Sequence, residues 1–183
     1  MLTIVRISTL AEIAAARDLV REFIDWAFML EPDSRDAPTF HDLERELAAY
    51  PGDYAPPKGC FLLARKGGHP VGCVAFRAYS DSTVELKRMY VRPDQRRKRI
   101  GQELVSALIA EARKRNNHRI VLDSHRTMTG AHRIYRAAGF RDVAAPAGFP
   151  EQFRSRVVFM EMDLAESSGS ASTIPTANTQ RCS

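Results

Sequence analysis

The stretch Val84-Glu-Leu-Lys-Arg-Met-Tyr-Val-Arg-Pro-Asp-Gln-Arg-Arg-Lys-Arg-Ile-Gly-Gln-Glu-Leu104 decides the fold. It begins as an apolar, strand-like segment and turns at Pro93. Arg96, Arg97, Lys98 and Arg99 follow, and a helix opens at Ile100, Gly101 and Gln102. The unpaired N–H groups of a first helical turn point outward, and the helix dipole favours negative charge there. Four cations at that position are electrostatically misplaced unless an anion joins them. The run therefore predicts a bound phosphate or pyrophosphate.

The chain on either side extends this reading. Upstream, Cys60–Arg65 and Val71–Tyr79 read as strands joined by a Gly67-Gly68-His69-Pro70 hairpin turn, and Thr83–Val91 is the third strand of a meander. Downstream, Ile100, Leu104, Ala107, Leu108 and Ala112 share one helix face through Arg115. Arg119–Asp123 is a short strand. Thr127 is a candidate N-cap for a helix through Ala138 that Gly139 closes. Phe140–Val143 starts a strand, 144–150 is a Pro/Gly loop, and Val157–Leu164 is the last strand. At the other end, Leu2–Ile7 is a first strand, and Leu10–Met29 and Phe40–Tyr50 have helix spacing about a charged loop at 31–39. The order β-α-α-β-β-β-α-β-α-β-β, with a parallel crossover after the meander, predicts an α/β (α+β) fold: a central mixed, mostly antiparallel sheet with helices on both faces.

The 183 residues allow one domain, assigned to 1–164. Residues 165–183 are Ser/Thr/Ala/Pro-rich and are expected to form a disordered tail. Net charge is +5, and its surplus concentrates between Lys87 and Arg99, which points to an anionic ligand. Cys60, Cys73 and Cys182 fit no metal spacing, so no metal and a reducing cytoplasmic setting are expected. The N-terminus lacks a basic segment followed by a long apolar one, so no signal peptide is expected. No apolar run reaches the roughly 18 residues of a membrane span.

The element order and two motifs resemble the GNAT superfamily of acyl-CoA-dependent N-acetyltransferases. The first motif is Arg96-Arg-Lys-Arg-Ile-Gly101 after a strand ending in Val91-Arg-Pro93; Arg96 and Gly101 match the outer positions of the family's loop. Arg99 stands where the family usually has its first glycine, and Arg97 often has a glycine counterpart too. Glycine is free to take positive φ; an arginine can serve if its backbone stays in an allowed region and its side chain points outward, where it could add a contact to a CoA phosphate. The second motif is Met128-Thr-Gly-Ala131-His-Arg-Ile134-Tyr135-Arg-Ala-Ala-Gly139-Phe140. Ala131, Tyr135, Gly139 and Phe140 match, and Met128 replaces the usual asparagine.

The resemblance implies acetyl-CoA as acyl donor and a primary amine of a small molecule, peptide or protein as acceptor. It implies a cofactor cradle of Arg96, Arg97, Lys98, Arg99, Ile100, Gly101 and Gln102. Backbone groups of Met89, Tyr90 and Val91 would pair with pantetheine along a splayed strand, and Met128, Ala131 and Tyr135 would line the same arm. Glu85 is the candidate general base; the other reading is a strand glutamate paired with Lys87 on the same face. Tyr135 is the candidate donor to the departing thiolate, or a buried aromatic, or both. Asp123, Ser124 and His125 follow the short strand near where a thioester would lie. Trp26, Phe28, Met29 and Phe149 either border the acceptor pocket or pack in the core. Acidic Glu31, Asp33, Asp36, Asp42 and Glu44 could attract a cationic amine or form a solvated loop. A homodimer is left open. Two other functions compete: a degenerate acyl-CoA-binding module, and nucleic-acid binding through Lys87–Arg99, which lacks interleaved aromatics.

Overall fold

The computed structural model describes residues 1–32 and 42–164. The expectations for Asp33, Asp36, Phe40 and the tail from 165 lie outside those residues.

Among the described residues seven strands form one sheet: β1 (Leu2–Arg6), β2 (Cys60–Lys66), β3 (His69–Ser80), β4 (Thr83–Val91), β5 (Arg119–His125), β6 (Arg141–Val143) and β7 (Val157–Asp163). Their order is β1-β2-β3-β4-β5-β7-β6. Only β4 and β5 are parallel; every other neighbouring pair is antiparallel. The parallel step is bridged by α3 (Ile100–Lys114).

Helices cover both faces, as the mixed sheet requires. On one face, Leu104, Val105, Leu108 and Ala112 of α3 and Tyr135 of α4 (Thr129–Ala137) pack on Leu62, Val74, Leu86, Ile120 and Met160. On the other, Ala16, Leu19, Val20 and Ile24 of α1 (Leu10–Leu30) and Leu47 of α2 (Leu43–Ala49) pack on Phe61, Leu63, Cys73 and Ala75. The strands between these layers alternate faces, so both cores are built from a period of two. A capping box starts α1: Thr9 accepts from the Glu12 amide and Glu12 accepts from the Thr9 amide, 3.2 and 3.0 Å.

Two local expectations are corrected. Thr127 does not cap α4; Met128 holds that position, and the Thr127 hydroxyl lies 2.8 Å from His125 Nδ1 instead. The hairpin turn is Gly67-Gly68 alone, at φ 59° and 84°, while His69 and Pro70 already belong to β3. Pro70 sits at a register shift, where its missing N–H breaks no ladder. A single helical turn, α5 (Glu151–Arg154), follows the 144–150 loop, in a stretch for which the sequence carries no expectation. Among the described residues no helix is long and apolar enough to cross a membrane.

Candidate active site

The site begins where β4 leaves β5. Pairing runs from Thr83↔Arg119 to Glu85↔Val121 and stops. From Leu86 to Val91 the edge of β4 that faces β5 is unpaired, while β5 stays zipped to β7 as far as His125. On its other side β4 carries a bulge: Cys73 is opposite Tyr90 and Ala75 opposite Lys87, so Arg88 and Met89 share Val74. Arg88 takes φ 56°, a left-handed conformation that costs an ordinary residue about 1–2 kcal/mol. Its buried guanidinium donates through Nε and Nη2 to the two carboxylate oxygens of Glu46, 2.9 and 2.7 Å. The Tyr50 and Tyr54 hydroxyls donate to the same Glu46 Oε1, 3.1 and 3.0 Å. Burial alone would raise the Glu46 carboxyl; the Arg88 bonds outweigh it and the net shift is downward.

The gap opens into a cavity of about 1120 Å³ that joins the two faces of the sheet. At one end lies the basic turn. Arg96, Arg97, Arg99, Ile100, Gly101 and Gln102 line it. Lys98 does not; its ammonium turns back onto the Asp94 carbonyl, 2.9 Å, and Gln95. Arg97 and Arg99 both have φ 61°. They occupy the small left-handed region open to L-residues, so the backbone keeps the shape that glycine would give it while two guanidinium groups are added. Arg96 donates to the Val91 carbonyl, 3.1 Å, and its guanidinium lies 4.4 Å from the centroid of the Trp26 ring. Gly101 serves packing: a Cβ there would meet Ile134 Cδ1 at 2.7 Å and Met89 Cε at 3.1 Å.

The middle of the cavity has a charged floor. Glu85 pairs with Arg77 at 2.9 Å and with Lys87 at 3.1 Å, and Lys87 also donates to Asp123 at 2.9 Å. The same-face pairing of Glu85 with Lys87 is present, and a second cation has joined it. Tyr135 is buried and touches the Phe140 ring, centroids 5.7 Å apart. Burial, and secondarily Asp123, push its phenol well above the ordinary range. Among the described residues its hydroxyl has no hydrogen-bond partner, and the residue lines the cavity. Met128 and Ala131 line it beside Tyr135, and Met89, Tyr90 and Val91 do so from β4. His132 turns away: its Nε2 lies 3.0 Å from Ser124 Oγ, and burial lowers its pKa.

The far walls are aromatic. Phe23, Trp26 and Tyr90 form one, with centroids 5.8–6.4 Å apart. Phe149 and Phe159 form the other, edge to face at 4.8 Å. Met29 is exposed and outside the lining. Sequence reasoning missed Arg77, Arg88 and Glu46, whose positions are set by contacts 8 to 42 residues apart. Among the described residues no group of three or more His, Cys, Asp or Glu could hold a metal ion.

Residues 21–140 match the model of the Acetyltransferase (GNAT) family. An uncharacterised N-acetyltransferase of Schizosaccharomyces pombe is 37% identical over 130 residues, covering 70% of this chain and 78% of that protein. The N-acetylaspartate synthetase of Mus musculus is 38% identical over 91 residues, 49% of this chain but only 30% of that protein. The crystal structure of PaiA N-acetyltransferase from Thermoplasma acidophilum, in complex with coenzyme A, shares the fold at a TM-score of 0.65 and 18% identity, covering 89% of this chain and 99% of that one.

Proposed function

The chain belongs to the GNAT acetyltransferase family, and from that premise we propose that it transfers the acetyl group of acetyl-CoA to a primary amine by direct attack in a ternary complex. The observation that carries this is the opening between β4 and β5, which runs from a basic helix N-terminus to a carboxylate-lined floor in one cavity.

The residues present suit the donor. Arg97, Arg99 and the first N–H groups of α3 form the cradle for its pyrophosphate. The open edge of Met89–Val91 can pair with the amides of the pantetheine arm as a neighbouring strand would. In the reaction the amine nitrogen bonds to the thioester carbonyl carbon and the C–S bond breaks. The ammonium must first lose a proton. Glu85 is the base we assign; because Arg77 and Lys87 already hold its oxygens, a water relay suits it better than direct contact. A backbone N–H near Val91 would stabilise the carbonyl oxygen as it becomes negative. Tyr135, kept neutral by burial, would hydrogen-bond the departing thiolate.

We take the acceptor to be a small-molecule, peptide or protein amine. The buried, unpaired thiols of Cys60 and Cys73 support a reducing, cytoplasmic setting. Binding of nucleic acid through Lys87–Arg99 is disfavoured, because Lys87 and Arg88 are consumed in ion pairs beneath the surface.

Calorimetric titration with acetyl-CoA, followed by a screen of amines for thiol release, tests the reading. Aspartate belongs in the screen because a relative is named for the synthesis of N-acetylaspartate. No binding at concentrations on the order of hundreds of micromolar, a binding free energy weaker than about −5 kcal/mol, sinks it. Binding without release from any amine leaves a degenerate acyl-CoA module.

A further inference from the structure

Among the described residues, Arg88 is the non-glycine residue that takes a left-handed φ inside a strand; Asp42, Arg97, Arg99 and Asn116 do so at helix caps and turns. It does so in the strand that borders the cavity, one residue before Met89–Val91. A bulge re-aims the chain that follows it. Here that chain is the segment whose open edge would meet the donor.

In an arginine this conformation costs about 1–2 kcal/mol. Two groups fix it. The Glu46 carboxylate grips both ends of the guanidinium fork, and Cys73 Sγ donates to the Arg88 carbonyl at 3.2 Å. Glu46 is itself fixed by two tyrosine hydroxyls. Glu46, Tyr50, Tyr54 and Cys73 do not line the cavity, whereas Arg88 does, so the arrangement reaches the donor through residue 88 of β4.

We propose that Glu46 is a positioning residue for the acyl donor, acting through Arg88: the ion pair keeps residue 88 left-handed, and that turn sets the direction of the Met89–Val91 backbone. The inference rests on the acetyl-CoA reading above. A pin that only fastened α2 to the sheet would work from a β4 residue of ordinary φ, and would leave the conformation of Met89–Val91 indifferent to its loss. A buried ion pair is weak evidence for stability by itself; its use here is to select one backbone conformation.

Glu46→Gln keeps the volume and an acceptor for the tyrosines but removes the charged, two-pronged grip. The variant is expected to fold, to shift the amide NMR signals of Met89, Tyr90 and Val91 in the ligand-free protein, and to bind acetyl-CoA about tenfold more weakly, the factor that corresponds to releasing one left-handed residue. Adding Arg88→Gly supplies the left-handed turn without a clamp, and should bring the affinity of Glu46→Gln back to within about threefold of wild type. Should Glu46→Gln fail to fold, Glu46→Asp, shortened but charged, carries the same comparison. Signal changes confined to α2, or a double variant no better than Glu46→Gln, would overturn the proposal. Wild-type protein that binds no acetyl-CoA overturns the donor reading itself; the ligand-free spectra decide the clamp separately.

Discussion

Arg96 stacks on Trp26 with its guanidinium carbon 4.4 Å from the ring centroid, so the first cation of the basic turn is fastened to α1. Such a contact is worth roughly 0.5–2 kcal/mol. Trp26 is the chain's single tryptophan. If donor phosphate draws Arg96 away, saturating acetyl-CoA should change Trp26 emission, and Arg96→Gln should abolish most of that change. Emission that ignores saturating acetyl-CoA would show that Arg96 stays on the ring.

Arg99 lies at φ 61°, ψ 4° at the start of α3 without a side-chain cap. Arg99→Gly and Arg99→Ala both remove the guanidinium, but only alanine retains the left-handed penalty. Glycine should therefore be the more stable variant by about 1 kcal/mol in urea unfolding. Both should weaken acetyl-CoA binding equally, and more at low salt than at high. Equal stability would mean the turn relaxes when the arginine is gone.

The strand–turn–helix at 84–104 was legible because the apolar period changes from two to 3.6 across Pro93, a local signal. The same holds for α4, where Tyr135 and Gly139 lie one turn apart. The bulge at Arg88 was not legible: an arginine gives no sign of positive φ, and Glu46 is 42 residues away. Nor does a strand's own pattern name its neighbours, so the insertion of β7 between β5 and β6 appears only in the folded chain. Glu85 could be placed on the Lys87 face by its period of two, whereas Arg77 and Asp123 reach the cluster from other strands. Four-residue α5 is too short to show a helical period.

Glu85→Gln separates a base from a structural ion pair. The amide keeps the volume and leaves Lys87 its bond to Asp123. As base, Glu85 should cost kcat on the order of a hundredfold when lost, with the acetyl-CoA Kd unchanged. If thermal stability drops and kcat does not, the carboxylate serves only to pair Arg77 and Lys87.

Tyr135 should act as a neutral hydrogen-bond donor over the whole working range. Its raised phenol stays protonated past the pH at which a free tyrosine ionises near 10, so it should impose no alkaline fall in kcat below about pH 11. The linkage runs in the same direction. Above pH 10 the unfolded chain releases this proton before the native one does, so unfolding is favoured as pH rises, and Cys73, pushed up to about 12 from 9.0 by burial, adds to the loss from pH 9 upward. Tyr135→Phe removes its own share: the variant should lose stability less steeply between pH 10 and 12 than wild type. In turnover the same variant should lower kcat by about tenfold or more while acetyl-CoA affinity holds within a few-fold, since the hydroxyl meets the sulfur only as charge develops there. An unchanged kcat would leave Tyr135 as a buried wall of the cavity, and the thiolate would then leave with a proton from water.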